Sequence, residues 1–318
     1  MKESSIELSI IFPVHNESGN VRPLVERILH VLNQMNRTYE IIAIDDGSTD
    51  DSYAQLVGMA SVTPVLSIVR FTHNFGQTAA LSAGIERARG AIIVTIDSDL
   101  ENDPADIPRL IAKIEEGYDV VSGWRKDRWQ DALITRKFPS MTANWVISKL
   151  SGVHLHDYGC TLKAYRARVI KGIRLYGEMH RFIPAYAAWQ GGKITELTVN
   201  HTPRVHGVSK YGFGRVPRVM LDLVVFVFLH RYMNRPMHFF GFWGLWSLFV
   251  GVLAGLTAIL LRIFNIRHLV DTPLPTFSAL FIIVGVQFVL FGVIAEMLMR
   301  TYYESQGKRP YEIDEVSR

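Results

Sequence analysis

Asp97 and Asp99 stand two residues apart, directly after the apolar run Ala91–Ile96, and Glu101 follows two residues later. Carboxylates at that spacing, leaving a buried strand together, offer hard oxygen donors to Mg2+ or Mn2+. A carboxylate-lined edge repels a bare phosphate and holds a diphosphate only through such a cation. A solvated acidic turn is the plainer alternative. A second acidic pair, Asp45-Asp46, ends the run Glu40–Ile44 and opens the segment GSTDD. Ser48–Asp51 is explained as a turn and helix cap, with Thr49 or Asp50 capping. Two carboxylates at the strand end are not, and they suit hydrogen bonds from an imide N–H of a base such as uracil or from a ribose hydroxyl. His154 and His156 lack further zinc ligands at zinc spacing, and the single cysteine, Cys160, excludes an internal disulfide.

Such groups need a scaffold that brings them to one edge. Short, mostly apolar runs at Leu8–Val14, Glu40–Ile44, Val65–Phe71, Ala91–Ile96 and Asp119–Ser122 predict buried parallel strands. Between them lie helical patterns at Val21–Met35, Thr78–Ala88 and Pro104–Gly117, the last with Pro at its start and Gly at its end. Alternation of this kind predicts an α/β domain with a mostly parallel sheet. Right-handed crossovers then gather the strand C-terminal ends, and with them His15–Glu17, Asp45–Asp46, Asn74–Gln77 and Asp97–Glu101, along one edge. The first strand-to-helix turn, PVHNESGN, lacks G-x-G-x-x-G, and no G-x-x-x-x-G-K-[ST] occurs, which disfavours a Rossmann dinucleotide site and a P-loop.

The chain has 318 residues and a net charge of +4. Its first 200 residues carry 22 basic and 23 acidic groups and the remainder 12 and 7, so the positive excess lies towards the C-terminus. There, Phe239–Leu261 and Thr272–Ala295 hold no charged side chain, and each is long enough to span a hydrocarbon core of about 30 Å. Arg215, Arg218, Arg231 and Arg235 precede the first span, and Arg300, Lys308 and Arg309 follow the second. This bias predicts both termini in the cytoplasm and a short external loop, against which Arg262 and Arg267 count. The N-terminal ten residues lack a signal-peptide apolar region, so the first 200 residues are expected to stay inside. The segment Phe213–Tyr232 mixes arginines with apolar residues and reads as interfacial helix, with a buried core helix as the alternative. Gly251-x-x-x-Gly255 and the Gly285/Gly292 face predict close helix packing. On the expectation that one hairpin can hardly use both faces, they point to a homo-oligomer. Nucleic-acid binding is not expected, because the basic cluster abuts a membrane span. Spans without internal charge give no polar path for a transporter.

FPVHNE, IDDGSTD, HNFGQTAALSAG and DSDLENDP, in that order, resemble the family-two inverting glycosyltransferases of the GT-A fold, over about residues 7–215. VSGWR at 121–125, TRKFPSMTANW at 135–145, DYGCTLKAYR at 157–166 and RVHGVSKYGFGR at 204–215 resemble the polyprenyl-phosphate branch, which includes dolichol-phosphate mannose synthases and bactoprenol glucosyltransferases. The two C-terminal spans are most similar to the bactoprenol type. The Q-x-x-R-W motif of processive synthases is missing, since Gln190 is followed by Gly-Gly-Lys.

The resemblance implies transfer of a sugar, with UDP-glucose favoured, to a polyprenyl phosphate such as undecaprenyl phosphate. A mannosyl or amino-arabinosyl transferase is the alternative, and an inactive membrane scaffold the reading of a different class. It implies donor contacts by Pro13, Glu17, Asp45, Asp46, Asn74, Asp97, Arg204 and Lys210. Arg125, Arg136 and Ser140 match the acceptor-phosphate positions, where arginine forks suit phosphate oxygens. Asp97, Asp99 and Glu101 would hold the divalent metal. Asp157 would act as base or orient a sugar hydroxyl; an acceptor phosphate is already anionic near pH 7, so a strong base is not required. The implied organisation is a cytoplasmic GT-A domain over 1–212, amphipathic juxtamembrane helices over 213–235, two spans with a short external loop over 236–300 and a cytoplasmic tail over 301–318. A bacterial inner membrane is the expected location.

Overall fold

The computed structural model describes residues 6–126, 144–145, 147–149, 151–173, 175, 177, 179–202, 221, 224–225, 227–228, 231–232 and 235–305. These form two compact units, one up to Leu223 and one from Val224. Arg136, Ser140, Arg204 and Lys210 lie outside the described residues, as does most of Phe213–Tyr232.

The first unit is built on one seven-stranded sheet: β1 Leu8–Val14, β2 Tyr39–Asp45, β3 Leu66–Arg70, β4 Ile92–Thr95, β5 Val120–Trp124, β6 Lys163–Arg166 and β7 Ile194–Thr198, in the order β3-β2-β1-β4-β6-β5-β7. Helices α1 Val21–Asn33, α2 Ser52–Ala60, α3 Gln77–Arg87 and α4 Ile107–Glu115 connect the first five strands. The apolar runs become strands because both faces are covered: Leu8, Ile10, Ile11, Phe12 and Val14 have no exposed surface. Val21, Leu24, Val25, Ile28 and Leu32 form the buried stripe of α1, as their spacing requires. Strands β1 to β4 pair in parallel, and the mostly parallel α/β arrangement expected from the sequence is present.

One strand breaks the pattern. β6 is antiparallel to both β4 and β5, with Lys163 opposite Thr95 and Ser122. β5 therefore lies parallel in direction to β4 without touching it, and β7 pairs with β5 in parallel. The reversal has a simple consequence. β6 enters the sheet at the edge where the other strands leave it, so the loop before it, which holds Asp157, faces the ends of β4 and β5. The chain also switches direction of progress between β1 and β4. Their pairing ends at Ile11 and Thr95, two residues short of Pro13, and ligand crevices form where parallel neighbours part in this way.

In the second unit, α5 Pro236–Ile263 and α6 Leu274–Ser305 are long and apolar enough to cross a membrane, with mean hydropathy of 2.1 and 2.5 over their apolar parts. They pack on one another through glycine. A methyl group built on Gly244 would lie 3.0 Å from the Gly285 carbonyl oxygen, and one on Gly285 would lie 2.8 Å from that of Gly244. Gly251 approaches Ile282, Gly255 approaches Ser278, and Gly292 approaches Met237 and Phe240. The Ser278 hydroxyl donates to the Gly251 carbonyl at 2.8 Å and the Ser247 hydroxyl to that of Phe281 at 2.7 Å. A single hairpin thus does use both small faces, contrary to the expectation from the sequence, because the two helices lie antiparallel with their glycines in register. The glycines that carried the expectation of a homo-oligomer are used inside one chain.

Replacing Gly285 by Leu should therefore unseat the hairpin itself. Overpacking of this kind costs about 1–3 kcal/mol, so the thermal midpoint in detergent should fall by several degrees, with Gly285→Ala in between. An unchanged midpoint for Gly285→Leu would mean that the helices do not meet at this contact.

Candidate active site

The acidic turn after β4 is held in a demanding conformation. Leu100, between Asp99 and Glu101, has φ +61°, which a branched side chain rarely adopts. Its side chain is buried in the core, which offsets the strain and fixes how the turn presents its neighbours. The Asp99 carboxylate accepts the Glu101 N–H at 3.1 Å. Asp97 accepts from the Gln77 amide at 2.7 Å, and Gln77 also reaches the Thr161 hydroxyl at 3.4 Å. Burial and the Asp99 carboxylate push the Asp97 carboxyl up to about 6.

At the end of β5, Arg125 is buried and meets Asp157 with two hydrogen bonds, from Nε at 2.8 Å and from Nη2 at 3.2 Å. Its Nη1 lies 3.7 Å from the Glu101 carboxylate. Burial opposes the Arg125 charge, but Asp157 and the surrounding acidic groups hold the guanidinium protonated more firmly than usual. Arg125, expected at the acceptor phosphate, also joins the acidic turn to the loop before β6 through Asp157 and Glu101. That loop is supported from below. The buried Lys163 ammonium donates to the carbonyls of Tyr158, at 3.2 Å, and of Cys160. Desolvation pulls Lys163 down to about 8 and pushes the Cys160 thiol up to about 11. A buried thiol of that kind is a poor nucleophile.

The other acidic pair, expected to meet the nucleotide, makes contacts within the chain at the ends of β2 and of the HNFG turn. Asp45 is fully buried, accepts the Ser48 N–H at 3.2 Å and pairs with Arg70 at 3.3 Å. Asp46 accepts the N–H groups of Phe75 and Gly76 at 2.7 and 2.9 Å. Both carboxylates therefore brace the walls of the crevice, Asp46 by holding the HNFG turn that carries the exposed Asn74. Glu17, half-buried, accepts from the Asn20 amide at 2.6 Å just before α1. The N-cap of α2 is Asp51, neither of the two residues expected there, while Asp50 just before it accepts the Ser52 N–H at 3.0 Å. Pro13, Glu17 and Asn74 lie on loops and strand ends of the same sheet edge as Asp97, Asp99, Glu101, Arg125 and Asp157.

Several residues at this edge were not singled out from the sequence: Gln77, Thr161, Lys163 and Arg181. Gln77 sits inside a motif but has no charge to mark it. Lys163 was detectable as a lone cation in the apolar strand LKAY. His156 stacks on Trp124, with ring centroids 4.3 Å apart, and its ring and N–H bond to Glu196, so its part is to shape the loop beside Asp157.

The fit of a metal follows from these contacts. Among the described residues no three acidic, histidine or cysteine side chains form a metal cage. Asp97, Asp99 and Glu101 share a turn but do not close into a ligand set: Asp97 is tied to Gln77, Asp99 to the Glu101 N–H, and Glu101 faces Arg125. Their mutual repulsion, visible in Asp97, leaves hard oxygens whose charge a cation relieves. This suits a divalent ion held by one or two carboxylates and completed by substrate phosphates, the usual manner of Mg2+.

The Arg125–Asp157 pair makes a distinct prediction. Breaking a buried pair by removing one partner typically costs about 3–5 kcal/mol, whereas replacing both by apolar groups costs far less. Arg125→Met should lower the thermal midpoint strongly, and Arg125→Met with Asp157→Leu should recover most of it. A double variant as unstable as the single one would show that the pair is not the source of the loss.

Residues 9–174 match the family model for glycosyl transferase family 2. The chain is 44% identical over 98% of its length, and 93% of the other, to a dodecaprenyl-phosphate galacturonate synthase from Rhizobium johnstonii. It is 38% identical over 97% of its length, and 92% of the other, to an undecaprenyl-phosphate 4-deoxy-4-formamido-L-arabinose transferase from Shewanella sediminis. Among solved structures, glucosyl-3-phosphoglycerate synthase from Mycobacterium tuberculosis, in complex with Mn2+, uridine diphosphate and phosphoglyceric acid, has a TM-score of 0.56 at 16% identity, covering 71% of this chain and 79% of that one, a likeness of fold. The sheet is thus of the GT-A type, and with relatives aligned along nearly its whole length the chain belongs to glycosyl transferase family 2.

Proposed function

We propose that the protein moves a sugar from a nucleoside diphosphate to the phosphate of a polyprenyl lipid, with its first unit and both termini on the cytoplasmic side of a bacterial inner membrane. The observation that carries this reading is the convergence of an acidic turn, Arg125 and Asp157 on one sheet edge in a chain that also bears two membrane-length helices. The relatives named above act, by their names, on polyprenyl phosphates. The sugar we favour is a galacturonate-like hexuronic acid in place of glucose, because the galacturonate relative shares 44% of residues against 38% for the formamidoarabinose one. Formamidoarabinose is the second choice, and uridine is the favoured base.

In this reading the donor lies in the crevice between β1 and β4, bordered by Pro13, Glu17 and Asn74 and braced from behind by Asp45 and Asp46. Asp99 and Glu101, with Asp97 beside them, would hold a divalent cation, which supplies charge neutralisation for the departing nucleoside diphosphate. Asp157, fixed by Arg125 and by the Lys163-supported loop, orients a sugar hydroxyl or takes the proton of a monoprotonated acceptor phosphate. The anionic phosphate oxygen attacks the anomeric carbon from the face opposite the leaving group, and the configuration inverts. Positioning and electrostatics carry the rate, since the nucleophile needs little activation. By the family resemblance, Arg136 and Ser140 would meet the acceptor phosphate, and Arg204 and Lys210 the diphosphate.

Purified protein in detergent, given undecaprenyl phosphate and either UDP-galacturonate or UDP-glucose, should form the galacturonosyl lipid at least tenfold faster, read by mass spectrometry. EDTA should abolish transfer and Mn2+ or Mg2+ restore it. Asp99→Ala should lose transfer by more than about 100-fold while its thermal midpoint stays near that of the unchanged protein, as expected for a group whose loss removes electrostatic stabilisation of the reacting charge. Full transfer after metal removal would overturn the metal assignment, and consumption of neither of these donors nor of UDP-4-deoxy-4-formamido-L-arabinose would overturn the function.

A further inference from the structure

Inside the helical hairpin, polar side chains find partners. The Ser247 and Ser278 hydroxyls donate to carbonyls of the facing helix, and the Thr257 hydroxyl donates to the Leu253 carbonyl one turn back. Glu296 and Arg300 pair with each other at 3.4 Å. Gln287 differs. Its side chain is exposed, and among the described residues no group exchanges a hydrogen bond with its amide.

The place of this amide makes that costly. Gln287 stands one residue from the centre of Leu274–Tyr302, the part of α6 long and apolar enough to cross a membrane. The nearest charged side chain of the helix, Glu296, is nine residues further on, about 13 Å along the axis. A glutamine side chain is too short to reach water over that distance, and hydrocarbon offers an amide no partner. Gly285, two residues earlier, is packed against α5, and two residues turn an α-helix by about 200°. The amide therefore lies on the side of α6 opposite its partner helix.

That side has a period. Leu280, Ile283, Gln287, Leu290, Ile294 and Met297 recur at alternating intervals of three and four, and the five apolar members are each more than half exposed. A repeat averaging 3.5 residues keeps one seam turned towards a partner helix along its length. The apolar members alone need no partner in a membrane, because lipid tails are as apolar as leucine. The amide among them does. Copies of one chain insert in a membrane the same way round, so their α6 helices run parallel and each seam position meets its own counterpart. An amide both donates and accepts, so two Gln287 side chains satisfy one another across a two-fold axis. A polar residue at one seam position also fixes register and the number of helices.

We propose that α6 pairs with α6 of a second copy along this seam, with the two Gln287 amides hydrogen-bonded to each other at the middle of the membrane. The face is the one left free once the glycines are used inside the hairpin. The pairing rests on the reading of α5 and α6 as membrane spans.

The test uses the full chain in membrane vesicles, with Gln287→Cys, Leu290→Cys or Val293→Cys oxidised by copper–phenanthroline and the products weighed. The unchanged chain, whose one cysteine is buried, is the control. Gln287→Cys and Leu290→Cys should give a disulfide-linked product of twice the chain mass, and Val293→Cys, off the seam, should give little. Adding Gln287→Leu to Leu290→Cys should reduce its cross-link. In mild detergent, Gln287→Leu should weaken the dimer about 5- to 30-fold, the worth of an interhelical hydrogen bond in a membrane, and Gln287→Asn should fall in between. Equal cross-linking at all three positions, a product containing a different protein, or a dimer within twofold of the original in Gln287→Leu would each overturn the pairing. Release of the unchanged protein from vesicles by alkaline carbonate would overturn the membrane reading itself, whereas retention without the seam cross-links would overturn the pairing alone.

Discussion

A single buried guanidinium, Arg125, decides how this site is put together. It takes Asp157 in a two-pronged grip and faces Glu101, so three segments distant in sequence meet at one charge. Removing two ions from water is expensive, and a buried pair of this kind adds little stability over well-packed apolar residues. Its worth lies in arrangement. With Arg125 in place, the carboxylates of the β4 turn and of the loop before β6 can stand close together without expelling one another.

Two backbone features serve the same end. The reversed strand β6 brings its N-terminal end to the edge where all the other strands finish, and this alone puts Asp157 within reach of Arg125. Leu100, with its left-handed backbone and buried side chain, turns the chain sharply between Asp99 and Glu101. The first is topology and the second is local strain, and apolar packing beneath the site supports both. Polar contacts add to it: Asp99 accepts the Glu101 N–H in the turn, and the buried Lys163 ammonium donates to backbone carbonyls before β6.

The sheet edge was legible in the residues because its strands announce themselves. β1 matches its apolar run to the residue, and β2 to β5 fall within a residue or two of theirs. β6 and β7 were not legible: LKAYR carries two charged residues in five, and ITELT has no regular alternation and is half-buried along most of its length. The reversal of β6 depends on long-range pairing that no local pattern encodes. Among the site residues, the acidic turn and Asp157 were found by their motifs. The partners that set their behaviour were not. Arg125 has the same letter whether it faces solvent, a lipid phosphate or Asp157, and only burial distinguishes these. Asp45 and Asp46 are marked in the sequence by their charge, whereas the backbone N–H groups of Ser48, Phe75 and Gly76 that they accept come from segments no local pattern joins to them.

The place of β6 between β4 and β5 also bears on how the chain is made. β4 and β5 are successive in sequence, yet neither can pair with the other; both wait for Lys163–Arg166. On the ribosome, β1 to β4 can assemble in parallel as soon as they emerge, but the outer edge of β4 stays unpaired for roughly seventy further residues, an open edge of the sort that recruits other chains. A nascent chain paused or truncated before Arg166 has a half-sheet with a sticky side, and one released just after it can close. The insertion that creates the site is therefore also the step that closes the open edge of the growing sheet.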